Sequence, residues 1–575
     1  MTTTTVIEKS GPLTIYKADV EYEIPPVDLL TLLFETDHCS AKEDTPLHID
    51  ASNPSLSLTK SQARDLTKRI GYTLRHNYGI GNTSGKLDYV TCISAGNYIL
   101  PTVFFGVAAA GGVFSSVSSS ATIPELARLI KSAPSDLVIC SPETRDVALQ
   151  AAKSCGIPAD RVLVIDATNV ALREVASGQN VLGKERMDWK RLSKEEAENV
   201  PVCLIYSSGT TGLPKGVPLS HTNMVAEAHI SCGMVKRQMS FDYRTIAHLP
   251  VAHIAGMQGY FVNPMYMGGT TYWMSKFDFA QFLDHCDRYK ITCFFTVPPI
   301  YLLIAKSPAV TNQFRHLEYA ISGAAPMGKE LQEAASAKFK NGQTFISQTW
   351  GLSENTGSAT LNNFGEVDLS GSVSRLLPNM KLRIVDDDGR DVGVGQEGEL
   401  LLKGPVVFKG YHNNPEASKV VFDSEGYFRT GDVGLFRNGM FYIVDRKKEL
   451  IKYKGRVYNS LALFSSANKM VLGMQVAPAE LEAHLLSHPN ILDAAVIGVD
   501  FEHTEAPRAY VVADCSKVSE EQIKAFVREH MATHKQLRGG VVFIDAIPKS
   551  PSGKILRKDL RAMAKAETGQ TKAKL

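Results

Sequence analysis

Short apolar, largely β-branched runs recur through the first two thirds of the chain: Leu137-Val138-Ile139-Cys140, Val162-Leu163-Val164-Ile165, Cys203-Leu204-Ile205-Tyr206 and Cys293-Phe294-Phe295-Thr296-Val297. Amphipathic stretches such as Pro124-Glu125-Leu126-Ala127-Arg128-Leu129-Ile130 separate them. Strands that are apolar on both faces, alternating with helices, predict parallel sheets covered on both sides. From about Pro378 the pattern changes. Lys381-Leu382-Arg383-Ile384-Val385 runs into Asp386-Asp387-Asp388-Gly389, and Gly398-Glu399-Leu400-Leu401-Leu402-Lys403-Gly404 follows. Short strands with Asp-Gly turns predict an antiparallel, barrel-like unit. A charged segment, Asp445-Arg446-Lys447-Lys448-Glu449, then precedes a last part of mixed α and β pattern. The expected architecture is α/β and multidomain. Residues 1–444 form a large unit with parallel α/β sheets and a small β-barrel subdomain; residues 445–575 form a small α+β unit.

Length and composition narrow the field. At 575 residues the chain is long enough for three or four folding units and a large core. Its 44% hydrophobic and 21% charged residues are ordinary for a soluble globular protein, and a net charge of +2 offers no broad footprint for nucleic acid or anionic membrane. The nine cysteines are scattered with no CxxC pair, which fits buried thiols in a reducing compartment rather than a disulfide framework or zinc ribbon. Tyr89 to Pro124 carries no charge, but Pro101 and three glycines, Gly106, Gly111 and Gly112, interrupt its interior from Ile99 to Phe114. A spanning helix wants about 20 continuous apolar residues, so a strand and helix inside an α/β layer is expected instead.

The chemistry concentrates first in Tyr206-Ser207-Ser208-Gly209-Thr210-Thr211-Gly212-Leu213-Pro214-Lys215-Gly216, directly after an expected strand. Glycines let the backbone approach an anion, hydroxyls and successive N–H groups donate to phosphate oxygens, and Lys215 adds positive charge. The spacing differs from the P-loop. Gly178 to Lys184 and Gly323 to Lys329 come nearer, but each continues with Glu where a hydroxyl belongs.

Further segments accompany that loop in order: Leu249-Pro250-Val251-Ala252-His253-Ile254, Ser322-Gly323-Ala324-Ala325-Pro326, Thr349-Trp350-Gly351-Leu352-Ser353-Glu354, Arg429-Thr430-Gly431-Asp432, Asp445-Arg446-Lys447-Lys448-Glu449 and Pro551-Ser552-Gly553-Lys554. With them the sequence resembles the acyl- and aryl-CoA synthetases of the adenylate-forming superfamily, the 4-coumarate–CoA ligase-like group. The resemblance implies an ATP-dependent ligase that activates a carboxylic acid as acyl-adenylate and passes it to CoA, with ATP, Mg2+ and CoA as its small-molecule partners. It implies a nucleotide site of Ser207, Ser208, Gly209, Thr210, Thr211, Gly212, Lys215, Gly323, Ala324, Ala325, Trp350, Gly351, Ser353, Asp432, Arg446 and Lys554. Within it, the loop holds the β- and γ-phosphates, Glu354 the magnesium, and Ser353 the α-phosphate. Trp350, where the family usually has Tyr, would stack on adenine. Asp432 would bind the ribose hydroxyls, supported by Arg446. Lys554 would bridge carboxylate and α-phosphate as charge builds in the transition state. His253, Ala255, Gly259 and Gly323 would line the acid's pocket, where the small Ala255 and Gly259 leave volume for an aromatic or medium-chain tail. Lys452 and Gln475 would serve thioester formation, with Lys454 and Gly455 toward CoA, after a pivot at Asp445.

One departure stands out. Between Gly455 and Gln475 lies Arg456 to Met474, whose apolar Leu461-Ala462-Leu463-Phe464 is awkward on a loop. A carrier-protein-loading adenylating enzyme, a luciferase-like oxygenase and a nucleotide-binding pseudoenzyme therefore stay open beside the ligase. The chain ends in Ala573-Lys574-Leu575, which resembles the Ser-Lys-Leu address read by the peroxisomal import receptor, so a peroxisomal location is expected, and otherwise a cytoplasmic one. The segment 456–474 is read as translated intron sequence rather than a genuine insertion. Sequencing the mature transcript should show it spliced out; a message encoding the whole segment would overturn that reading.

Overall fold

The computed structural model describes residues 2–82, 85–207, 214–453, 474–501, 504–550 and 553–572. Five of the phosphate-loop residues (Ser208 to Gly212), Lys454 and Gly455, nearly all of 456–474, and the terminal Ala573-Lys574-Leu575 lie outside them.

The apolar runs form the expected parallel strands. One seven-stranded sheet has the order Lys215–Ser220, Pro201–Ser207, Val113–Ser118, Tyr89–Ser94, Ser135–Cys140, Val162–Asp166, Ala171–Glu174. Its inner neighbours pair in parallel, and only the two edge strands run antiparallel. The uncharged stretch supplies two of these strands and the helix Leu100–Ala109 between them, which is buried almost throughout. No described helix is long and apolar enough to cross a membrane. Arg244–Ala247, Thr270–Trp273 and Pro46–Asp50 pair in parallel in a second sheet. Cys293–Thr296, Tyr319–Ser322 and Ile346–Gln348 form a third parallel set.

The expected barrel-like unit is a six-stranded antiparallel sheet: Thr5–Ser10, Leu13–Ala18, Lys381–Val385, Gly398–Lys403, Phe428–Arg437 and Met440–Arg446. Among the described residues no pairing closes it into a barrel. The outer strand Thr5–Ser10 is almost wholly exposed, so it has no apolar face to drive closure. Arg383 anchors the sheet by bonding the buried carboxylates of Asp391 (2.6 Å) and Asp423 (2.7 Å).

The C-terminal part centres on Ile491–Phe501 and Thr504–Ala513, paired antiparallel, with Val541–Phe543 parallel alongside. Strand alternation splits its core. Ala494 and Val496 pack with Leu481, Leu485, Ile523 and Val527 on one face, whereas Ala495 and Ile497 pack with Leu560 and Ala564 on the other. Before it, Ile451–Tyr453 pairs with Met474–Val476, setting Lys452 opposite Gln475. Asp445, at the charged segment, lies buried in the strand Met440–Arg446; its Oδ2 accepts from the Ala479 N–H at 3.0 Å, and burial pushes its carboxyl pKa up. Arg557 makes two bonds of 2.8 Å to the buried Glu482 of the helix Pro478–Ser487. The two parts also touch directly, with Lys306 Nζ donating to the Ile491 carbonyl at 2.5 Å.

Candidate active site

Ligands of open α/β sheets bind beyond the carboxyl ends of parallel strands, and this chain collects its chemistry there. Ser207 ends one strand and pairs with Lys215 across the phosphate loop. Ser322 ends another and leads into Gly323 and Ala324, while Gln348 leads into Trp350. Gly323 is required by space: a Cβ there would lie 2.8 Å from the Phe295 ring and 2.9 Å from Thr349 Cγ2. Gly351 is tighter still, since its Cβ would fall 1.7 Å from the Gly357 carbonyl oxygen. Ala324 has φ +68°, a left-handed conformation that costs a non-glycine residue free energy and is characteristic of functional sites.

Asp432 is the best-tied group. It is 4% exposed; its Oδ2 accepts from the Trp350 indole N–H at 2.8 Å, and Arg446 Nε lies 3.1 Å from Oδ1. The register of two neighbouring antiparallel strands places Asp432 opposite Arg446. Trp350 thus has a polar partner in addition to its apolar surroundings.

Glu354 is buried, and its Oε1 accepts from the Tyr411 hydroxyl at 3.0 Å. Lys215 Nζ stands 4.6 Å from the centre of the same Tyr411 ring, a cation–π distance. Burial, with Glu354 beside it, pushes the Tyr411 phenol up, so its proton stays on to donate. Tyr411 was not among the residues expected from sequence. No motif flags it, and its part is visible only once Gly410, at φ +143°, and His412, whose N–H bonds the Gly216 carbonyl at 2.9 Å, seat the segment on the strand Lys215–Ser220.

Lys554 reaches the site from the C-terminal part. Gly553 before it packs against Val297, where an added Cβ would stand 3.2 Å from Cγ2. Burial first, then the neighbouring Arg446 charge, pushes the Lys554 ammonium down to about 8, with Asp432 and Glu449 opposing. His253 caps the helix Ile254–Met257, its Nδ1 accepting from the Ala255 N–H at 3.3 Å. Burial and the Lys554 charge hold His253 down to about 4, so it is neutral near pH 7 with its proton on Nε2. His253, Ala255, Phe295, Val297 and Ala324 line one cavity. The helix beyond continues as a π-helical turn, Gln258–Val262, in which Gly259 has no atom within 4 Å of where a Cβ would lie.

The structure therefore gathers His253, Ala324, Trp350, Glu354, Asp432, Arg446, Lys215 and Lys554 at one end of the sheets. Lys452 and Gln475 pair with each other in a separate two-stranded ladder. A buried carboxylate with Arg446 and the Lys554 charge beside it, next to a small cavity at His253, suits an anionic substrate.

Comparison with known proteins gives the family. Residues 36–412 match the AMP-binding enzyme family, and residues 480–554 match the AMP-binding enzyme C-terminal domain. The chain belongs to this family, the adenylate-forming superfamily. A protein of Emericella nidulans, provisionally named acyl-coenzyme A synthetase, is 46% identical over 96% of this chain and 99% of its own length. The phenylacetyl-CoA ligase epaB of Aspergillus niger is 35% identical, covering 94% and 98%. Among solved structures, ATP-bound MatB of Rhodopseudomonas palustris superposes with a TM-score of 0.76 at 25% identity, covering 93% of this chain and 98% of that one.

Replacing Asp432 with Ala strands both the indole N–H and the guanidinium and removes the acceptor pair. Charge-assisted bonds of this kind contribute about 1.5–3 kcal/mol each. Asp432→Ala should therefore weaken ATP binding by about 10- to 100-fold in calorimetry, and an unchanged affinity would leave Asp432 only a structural tie between Trp350 and Arg446.

Proposed function

We propose that this chain is an AMP-forming acid–thiol ligase for an aryl, arylacetic or medium-chain carboxylic acid. The observation that carries the reading is the convergence of Lys554, from the C-terminal part, on Asp432, Arg446 and His253 of the large part. In the first half-reaction the acid's carboxylate oxygen attacks the α-phosphorus of ATP, an acyl–AMP anhydride forms, and pyrophosphate leaves. In the second, the CoA thiolate attacks the acyl carbon and AMP departs. The first step brings two anions together, so catalysis is mostly alignment and charge neutralisation.

This chain's residues divide that task. Asp432 holds the ribose hydroxyls, and Lys215 with the hydroxyl-rich loop receives the outer phosphates. The neutral His253, with its proton on Nε2, supplies a hydrogen-bond donor for the acid's carboxylate. The Lys554 ammonium meets the charge growing on the pentacoordinate phosphorus. Glu354 fits magnesium: it offers hard oxygens and keeps acceptor capacity beyond its bond from Tyr411, and magnesium is commonly held by one carboxylate together with substrate phosphates. When bound, magnesium supplies further charge neutralisation at the phosphates. The small Ala255 and the open Gly259 support a bulky tail, and the named activity of the Aspergillus niger relative supports an arylacetic one. We further infer that the enzyme works in peroxisomes, on the strength of Ala573-Lys574-Leu575.

Acid-dependent ATP–pyrophosphate exchange tests the chemistry. A cation whose pKa lies near 8 in the free enzyme is charged below that value, so kcat/KM should fall as pH rises through about 8. Lys554→Ala should slow exchange by about 100- to 1000-fold while leaving ATP affinity largely intact, and chelating magnesium should stop it. Exchange at the wild-type rate in the Ala variant would remove Lys554 from the mechanism.

Location is checked separately by fusing the last dozen residues to a fluorescent protein. Punctate, peroxisome-coincident signal is expected; a diffuse signal matching a fusion without Leu575 would defeat the assignment.

A further inference from the structure

Glu227 sits in the middle of the helix His221–Lys236, among the buried Met224, Val225, Ala226, Ala228 and Ile230. It is 2% exposed. Its Oε1 accepts from the Ser358 N–H at 3.1 Å, and its Oε2 has no hydrogen-bond partner among the described residues. Leaving a buried polar atom unpaired costs free energy, so a carboxyl kept in that condition calls for a role. Burial pushes it up to about 8, against the pull of the Ser358 N–H, so near neutral pH the group mostly carries a proton.

Its surroundings indicate what the free oxygen faces. The loop from Trp350 to Ser358 carries Ser353 and Glu354 and ends on Glu227, with Gly357 lying against the carboxyl at 3.3 Å from Oε1 to an added Cβ. From the other side, Gln258 donates through Nε2 to the Met224 carbonyl at 3.3 Å, one turn before Glu227. Its Oε1 is likewise buried and unpartnered. Gly259 follows at once, open where a side chain would be, on the helical run that begins at His253 and Ala255. Two orphaned polar atoms therefore lie on neighbouring elements, one of which continues the helical run from His253 and Ala255 that borders the cavity.

We propose that Glu227 is a specificity-determining residue at the far wall of the acid pocket, placed to recognise a hydroxyl group on the tail of the substrate; this rests on the ligase reading above. A hydroxyl both donates and accepts. It can accept from a protonated Oε2 while donating to the Gln258 amide oxygen, which satisfies both orphans together. A tail ending in hydrocarbon satisfies neither.

The experiment uses the full chain and paired acids that differ only by a hydroxyl: phenylacetic against its three ring-hydroxylated forms, and octanoic against ω-hydroxyoctanoic. Acid-dependent pyrophosphate exchange gives kcat/KM for each. The best hydroxylated acid should exceed its parent by about 10- to 100-fold, the range a site built around a substrate hydroxyl commands at its lower end. Glu227→Met should bring that ratio to within about threefold of one. Glu227→Gln, which keeps an acceptor for the Ser358 N–H, should give an intermediate ratio and decides the matter if the Met variant misfolds. A merely structural Glu227 would lower both acids equally and leave the ratio unchanged. A wild-type ratio near one for every pair, or variants that keep the wild-type ratio, overturns this inference alone. Absence of exchange with every acid overturns the ligase reading and this inference with it.

Discussion

A buried carboxylate must be paired, and around Asp432 that requirement organises the molecule. Removing a charge from water costs several kcal/mol unless nearby donors compensate. The indole of Trp350 comes from beyond a parallel strand, the guanidinium of Arg446 from the neighbouring antiparallel strand, and the Lys554 charge from the C-terminal part. Three segments far apart along the chain thus meet at one small anion. In the ligase reading proposed above, the same group receives the ribose hydroxyls, so the interaction that joins the segments would also mark the nucleotide site.

Charge is distributed asymmetrically across this meeting point. Lys554 and Arg446 repel each other, which, with burial, keeps the Lys554 ammonium easier to deprotonate than a free lysine. His253, held neutral by burial and the same lysine, adds a donor without adding charge.

Much of this was legible in the sequence, because the parallel strands write themselves as continuous apolar runs and the motif residues sit just after them. Asp432, Glu354 and Lys554 were all readable at their positions, and the structure brings them to the same end of the sheets. Other features leave no local trace. The hairpin Thr5–Ser10 and Leu13–Ala18 extends a sheet whose next strand, Lys381–Val385, lies far along the chain, and nothing near Thr5 names that partner. The barrel suggested by Asp-Gly turns stays an open sheet because turn chemistry fixes hairpins, not closure. Tyr411 and Glu227 look like ordinary aromatic and helical residues until the fold sets one against Glu354 and the other against Ser358.

The π-helical turn Gln258–Val262 sets how the pocket wall varies over evolutionary time. Such a turn holds one residue more than an α-helix needs, and it is rare because its hydrogen bonding is poorer. Losing a single codon within it would restore ordinary helix while the residues before and after it kept their faces, since the turn itself absorbs the extra residue. Only the local widening beside Gly259 would close, while Ala255 and His253 stayed put. The shape of this wall can therefore alter through a change in length alone, with no substitution at Asp432, Trp350 or Arg446.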